Sequence, residues 1–315
     1  MGCGRPEIVH IPVLSQEVLY WLKPGPGGRY LDATVGLGGH AEEILRQSNP
    51  DGILYGLDWD LDALERARSR LQAFGSRAVL IHESFKHLRE IEEEREISGL
   101  DGLLFDLGLS ALQLELSERG FAFSRDGPLD MRMDQRLNLM ADDLVNHLSE
   151  RELADLLWKF GEERFGRRIA RRIVQSRKRE RIRSTRQLAE VVQGAIPPKS
   201  RRFRIHPATR TFQALRIAVN QELEGLESAI RMGIDLLRPG GRCTIISYHS
   251  LEDRIVKQTL VSLSRQPEPP FAPASPCPSQ PKVLVLSKKP ITPTEREIAA
   301  NPHSRSAKLR VAERI

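Results

Sequence analysis

YLDATVGLGGHAEEIL, residues 30–45, passes from an apolar run ending in an acid, through a glycine-rich turn, into a helical pattern. A strand, a tight turn and a helix in that order bring backbone N–H groups and a helix N-terminus up to a nucleotide. Asp32 ends the run, Gly36, Gly38 and Gly39 form the turn, and Asp58 follows Gly38 by 20 residues. An acid at that distance binds a ribose hydroxyl pair. Nicotinamide dinucleotides and S-adenosylmethionine both fit. GLGGHA lacks the third glycine of a G-x-G-x-x-G turn, and the acid in LDAT leans the reading toward S-adenosylmethionine.

Outward from this stretch, short apolar runs alternate with helical ones. RYLDAT, GILYGLDWD, AVLIHESF and LDGLLFDLG read as four strands, with helices in AEEILRQ and LDALERARSRLQAF. That rhythm implies βαβ units around a parallel sheet, hence an α/β fold. From Leu114 to Phe203 no strand pattern occurs. Capping boxes at Ser149–Glu152 and Ser184–Gln187 mark helix starts, and Gly161 and Pro197-Pro198 mark helix ends. We therefore expect a nucleotide-binding parallel sheet in 1–113 and 206–315, interrupted by an all-helical insertion over 114–205. TFQALRIAVNQELEGLESAI places Phe212, Leu215, Val219, Leu223 and Leu226 on one face and predicts a single long amphipathic helix. RCTIISYHS reads as a fifth strand, QPEPPFAPASPCPSQPK as a proline-rich loop, and SAKLRVAERI as an outer strand with Ala307, Leu309 and Val311 on one face.

FDLGLS sets Asp106 at the carboxyl end of strand four, the edge where open α/β sheets bind ligands. It can orient a substrate amine, hold a cofactor, or simply form a turn. SYHSLEDR puts His249, Ser250 and Asp253 together, but a hydrolase elbow needs G-x-S-x-G and triad partners distant in sequence. SLED is read instead as a capping box, leaving His249 at the strand end as a second site candidate or a structural histidine. Asp126, Asp130 and Asp134 in RDGPLDMRMD match no metal-ligand spacing, so a loop folding back over the site is expected there rather than a metal.

Composition narrows the partners. The chain has 315 residues, a net charge of +6 and 40% hydrophobic residues, with no apolar run of membrane-spanning length. The opening MGCGRPEIVH lacks an apolar leader core, and Cys3, Cys243 and Cys277 are scattered, which suggests free thiols and a cytoplasmic protein. Between Arg164 and Arg186 lie eleven Arg or Lys and one acid. Phe165, Ile169 and Ile173 supply one buried stripe there, turning Arg167, Arg168, Arg171 and Arg172 outward as a phosphate-binding face.

Taken together, GLGGHAEEIL, RGFAFSRDGPLDMRMD, TFQALRIAVNQEL, LRPGG, SYHSLEDR and NPHSRSAKLR occur in the order and spacing of a known family. The chain resembles the RsmH (MraW) S-adenosylmethionine-dependent methyltransferases of small-subunit ribosomal RNA from His10 to Arg310. The resemblance implies a class I methyltransferase domain interrupted by a helical domain. It further implies methylation of a cytosine N4 amine in the decoding region, on free rRNA or the assembled subunit. It places cofactor contacts on Gly38, Gly39, His40, Asp58, Phe85, Asp106 and Gln113. Two departures stand out: Ala111-Leu112 replaces the family's Ser-Pro before Gln113, and His303-Ser304 replaces its Arg-Ala. Asp106 is the first candidate for the proton acceptor and His249 the second. The amine-methyltransferase signature, Asp or Asn before Pro-Pro and an aromatic, is absent, with DLGLS in its place. A nicotinamide-dependent oxidoreductase would share the first βαβ unit but lack an antiparallel outer strand. A catalytically silent RNA-binding assembly factor would keep the basic helix without the glycine turn.

Overall fold

The computed structural model describes residues 11–197, 206–265 and 280–315. Most of the proline-rich segment, together with Cys3, Cys277, His10 and Phe203, lies outside the described residues. The chain divides into two units, Met1–Gly108 with Glu224–Ile315, and Leu109–Leu223.

The first unit is a seven-stranded sheet. Its elements are α1 (Ser15–Leu22), β1 (Arg29–Asp32), α2 (Gly39–Gln47), β2 (Ile53–Asp58), α3 (Leu61–Arg70), β3 (Ala78–His82), α4 (Leu88–Arg95) and β4 (Leu100–Asp106). After the second unit come α11 (Leu226–Leu236), β5 (Leu237–Ser247), α12 (Ser250–Leu263), β6 (Val283–Val285), α13 (Glu295–Ala300) and β7 (Lys308–Arg314). Strand order is β3-β2-β1-β4-β5-β7-β6. The first five strands run parallel, and β7 inserts antiparallel between β5 and β6. A dinucleotide-binding sheet runs 3-2-1-4-5-6 without that inserted strand. The fold is therefore α/β of the class I methyltransferase type, and the oxidoreductase alternative fails on its own criterion.

Alternate strand residues feed two cores, as a period of two requires when both faces are covered. Leu31, Leu103, Phe105 and Ile245 face Leu226, Ile230, Ile234 and Val256 on α11 and α12. Tyr30, Leu54, Leu104 and Ile246 face Val18, Leu22, Ile44 and Leu64 on α1, α2 and α3. Each fully buried Leu or Ile contributes about 1.5–3 kcal/mol against the entropy of ordering it.

Two expectations about the returning half change. The single helix over 211–230 is two, because Gln221 turns left-handed at φ 51° and Gly225 at φ 74°. The first of them, α10 (Thr209–Asn220), belongs to the helical unit rather than the sheet. Nor is β7 an outer strand. β6 pairs along its far side from Ala312 to Arg314, and Arg310 itself is buried, with 7% exposure. Asp253 on α12 accepts from the Arg310 Nε at 2.7 Å and from Lys308 at 3.2 Å. The alternation in SAKLRVAERI is real, but its polar members pair inside the fold.

The second unit holds α5 (Ala111–Glu115), α6 (Ala141–His147), α7 (Glu150–Gly161), α8 (Gly166–Arg177), α9 (Thr185–Ala195) and α10. No strand occurs among its described residues. The capping boxes predicted at Ser149 and Ser184 both close, each Ser accepting from the backbone N–H three residues on. Buried Asn220 pins the loop before α6, accepting from Met133 N–H at 2.7 Å and donating to the Met131 carbonyl at 2.7 Å. Asp130 and Asp134 each pair with the arginine two residues on, and the Asp126 carboxylate accepts from Arg186 N–H. Each of these three acids thus has its own partner.

Candidate active site at the carboxyl edge of the sheet

Register fixes which side chains meet. Asp32 lies opposite Gly56 and Leu104, Asp58 opposite His82, and Asp106 opposite Ile246, so the acids ending β1, β2 and β4 share the carboxyl edge. The turn after β1 runs beneath them. Gly38 sits at φ 78°, and a Cβ there would press within 3.3 Å of the Ala67 Cα. Only glycine keeps α2 this close to α3 and leaves bare backbone toward a ligand.

The Asp58 and Asp32 carboxylates are held by backbone, that of Asp106 by a side chain. Asp58 takes the Gly36 N–H on one oxygen at 2.8 Å and the Asp60 N–H on the other at 2.9 Å. Asp32 accepts from Thr34 N–H at 3.1 Å, and the Thr34 hydroxyl accepts the Asp106 N–H at 2.6 Å. The Tyr248 hydroxyl then donates to Asp106 at 2.8 Å. Nε2 of His40 lies 3.7 Å from the other Asp106 oxygen. Burial pushes Asp32 up to about 8, with repulsion from Asp106 and Asp58 adding to it. Burial likewise raises Asp58 to about 7. Asp106 also rises to about 7 through burial, although the Tyr248 hydrogen bond pulls the other way. Three acids that give up protons near neutrality suit a site built for hydroxyl donors, a cation and an amine.

The remaining sequence candidates divide. Gly38, Gly39 and His40 open α2 beside these acids. The Phe85 side chain packs into the core, 5.8 Å from Phe105 and 6.1 Å from Trp59, which leaves its backbone for any ligand contact. Trp59 was not singled out from sequence; it follows Asp58, and Lys86 sits 5.3 Å over its ring. His249 is the N-cap of α12, its Nδ1 accepting Glu252 N–H at 3.4 Å while Glu252 accepts both His249 and Tyr248 N–H groups. The box expected to start at Ser250 therefore starts one residue earlier, and Asp253 is freed to bind Arg310. Gln113 belongs to the second unit. It closes a capping box with Ser110, so α5 starts regularly despite Ala111-Leu112. Ser304, at the other departure, is fully buried and donates to the Asn301 carbonyl at 2.8 Å.

In the second unit Arg167, Arg168, Arg171 and Arg172 are exposed on α8, whose buried side is Ile169, Ala170 and Ile173; of the four, Arg171 also reaches the exposed Glu150 carboxylate at 3.3 Å. Phe165 is only half-buried. Arg177 and Arg181 are not part of this outward face: Arg177 donates to the Val145 and Leu148 carbonyls, and Arg181 pairs with Asp142. Trp158 on α7 is 67% exposed, and Gly166 at the start of α8 packs against the Leu157–Trp158 backbone. An exposed indole thus stands on the helix that supports the arginines, a feature that helical periodicity alone does not reveal.

The MraW methylase family matches residues 7–315. A ribosomal RNA small subunit methyltransferase H from Syntrophotalea carbinolica is 50% identical over 312 residues, covering 99% of both chains. Its counterpart from Syntrophobacter fumaroxidans is 47% identical over 310 residues, covering 98% of this chain and 97% of the relative. The chain belongs to the MraW methylase family. This methylase uses S-adenosylmethionine, and the residues present fit that ligand: the acid closing β2 would hold ribose, the glycine turn would offer backbone, and the carboxylates of the carboxyl edge would offset a cationic sulfur. No described helix is long and apolar enough to cross a membrane.

Proposed function

We propose that this methylase methylates the exocyclic N4 amine of a cytosine in the decoding region of small-subunit ribosomal RNA. The observation that carries the chemistry is the half-buried Tyr248–Asp106 pair at the carboxyl edge, joined at 2.8 Å. S-adenosylmethionine, when bound, supplies an electrophilic methyl group. The cytosine amine is a poor nucleophile because its lone pair is delocalised into the ring. This chain must therefore position it and accept its proton as charge develops. Asp106, with a carboxyl raised to about 7, is matched to that task at neutral pH. Asp58 holds ribose hydroxyls, and the Gly36–His40 turn offers backbone. His249, committed to its helix cap, orients the strand end rather than moving a proton.

A base in duplex RNA cannot reach such an edge and must be single-stranded or flipped out. The α8 arginines suit flanking phosphates, and Trp158 offers a stacking surface to an unpaired base. Replacing Arg171 and Arg172 with Ala is expected to weaken RNA binding while sparing cofactor affinity. For single strands the slope of log K against log salt falls by about 0.7 per lost phosphate contact, so a loss of about 1.4 is expected. An unchanged slope removes this pair from the interface.

The direct test is methyl transfer from labelled S-adenosylmethionine to small ribosomal subunits lacking the modification, followed by nucleoside mass analysis. N4-methylcytidine formed only with active enzyme is the expected result. Label in another nucleoside overturns the target atom. No label at all, with cofactor binding intact, keeps the fold and the cofactor and overturns the small-subunit substrate.

A further inference from the structure

Across the first unit from the acids, at the amino edge of the sheet, lies a cavity of about 660 Å³. It is lined by the loop before β1, the start of β4 and the start of β5, with Lys23, Arg29, Arg238 and Arg242 around one acid, Asp101. This is the edge opposite Asp32, Asp58 and Asp106, so the cavity is no part of the cofactor site.

Its guanidiniums are held in place. Arg29 donates to the Tyr55 hydroxyl at 3.0 Å and lies 5.7 Å over that ring. Arg242 donates to the Trp21 carbonyl at 2.9 Å and to Glu313 at 3.0 Å. Arg238 donates to Asp101 at 2.6 Å, and the other oxygen of Asp101 takes the Arg29 N–H at 2.8 Å. Asp101 is thereby engaged on both oxygens, and Glu313 faces Arg242. Asp51, near the rim, takes the Gly27 N–H at 2.7 Å. Lys23 and the Arg29 guanidinium have no carboxylate partner among the described residues. Backbone at Gly27 and Gly240 is nearly bare: an added Cβ meets only Asp51 at 4.0 Å at Gly27, and nothing within 4 Å at Gly240. Fixed guanidiniums with donors to spare, a spare ammonium and open glycine backbone are what an oxyanion with several acceptor oxygens requires.

We propose that this cavity is a phosphate-binding site, separate from the reacting edge. Two ligand sources share that chemistry, the backbone of an RNA strand and a free phosphorylated small molecule. The intact protein is titrated calorimetrically with tripolyphosphate, then with a short single-stranded RNA. Wild type is compared with Lys23→Gln and with the Lys23→Gln, Arg29→Gln double variant, and thermal unfolding of each reports the fold. Saturable tripolyphosphate binding is expected at low salt, weakened about tenfold in the double variant as two charged donors are lost. A parallel loss for RNA assigns the site to the RNA backbone; RNA affinity unchanged assigns it to a free phosphate compound. If loss of Arg29 from Tyr55 unfolds the double variant, Lys23→Gln decides, since the Lys23 side chain has no hydrogen bond or ion pair among the described residues. A loss of about threefold is then expected. The proposal is overturned by tripolyphosphate that fails to bind wild type saturably. Equal binding by the folded variants overturns it as well.

Discussion

Asp106→Asn is expected to lower the rate of methyl transfer by about a hundredfold or more, the usual contribution of a positioned proton acceptor. The side chain keeps its shape and can still accept from Tyr248, so the fold should survive while the basic oxygen is lost. Because burial raises the wild-type carboxyl to about 7, the rate should climb as pH rises through 7 and level off above it. Below that value it should fall about tenfold per pH unit, as the ionised fraction does. Tyr248 is a positioning residue in this scheme, and Tyr248→Phe separates its role from simple packing. Its hydrogen bond lowers the Asp106 value, so removing the hydroxyl raises that value and moves the acid limb of the profile to higher pH. The variant should be slow at neutrality and recover in alkaline buffer. A uniform loss at every pH would mean that Tyr248 only fills space. A rate for Asp106→Asn within a few-fold of wild type would remove Asp106 from the chemistry.

The parts of this site visible in the sequence are those that local chain geometry dictates. Asp32 and Asp58 end strands in a βαβ repeat, and Gly38 needs a positive φ; both signals are short-range and survive folding unchanged. Tyr248 was invisible for the opposite reason. Its partner is 142 residues away, and only the parallel pairing of β4 with β5 brings the two together. His249 shows how a composition cue misleads. A histidine at a strand end resembles a site residue, yet Glu252 closes a cap around it one residue earlier than SLED suggests. The break between α10 and α11 was hidden too, because Leu223 and Leu226 continue the apolar spacing across a turn made by Gln221 and Gly225. Among the basic residues, charge counting could not separate Arg171, which faces outward, from Arg177, whose donors serve two carbonyls of its own unit. Periodicity sets which face a residue takes, but the partner that occupies it is a tertiary fact.

Asp58→Ala should weaken S-adenosylmethionine binding by about a hundredfold or more, since each hydrogen bond to an ionised acceptor is worth about 1.5–3 kcal/mol. The Asp58 oxygens already hold the Gly36 and Asp60 N–H groups, with Trp59 N–H also engaged, which leaves about one of a carboxylate's four acceptor sites for a ribose hydroxyl. The carboxylate therefore shapes the glycine turn and receives the ligand together, and alanine removes both functions. Asp58→Asn divides them: it keeps one acceptor oxygen for the turn but carries no charge. Its cofactor affinity should fall between those of wild type and the alanine variant. The pH dependence supplies an independent check. Burial raises the free carboxyl to about 7, whereas hydroxyl donors favour the ionised form. Binding must then expel a proton below that pH, so wild-type affinity should weaken as pH falls from about 7, by up to about tenfold per unit. Asp58→Asn should lose that part of the slope, and any residual slope belongs to Asp32 and Asp106. Calorimetric titration across the same pH range reads both quantities. Asp58→Ala binding within threefold of wild type, or a slope unchanged in Asp58→Asn, would mean that the ribose is held elsewhere.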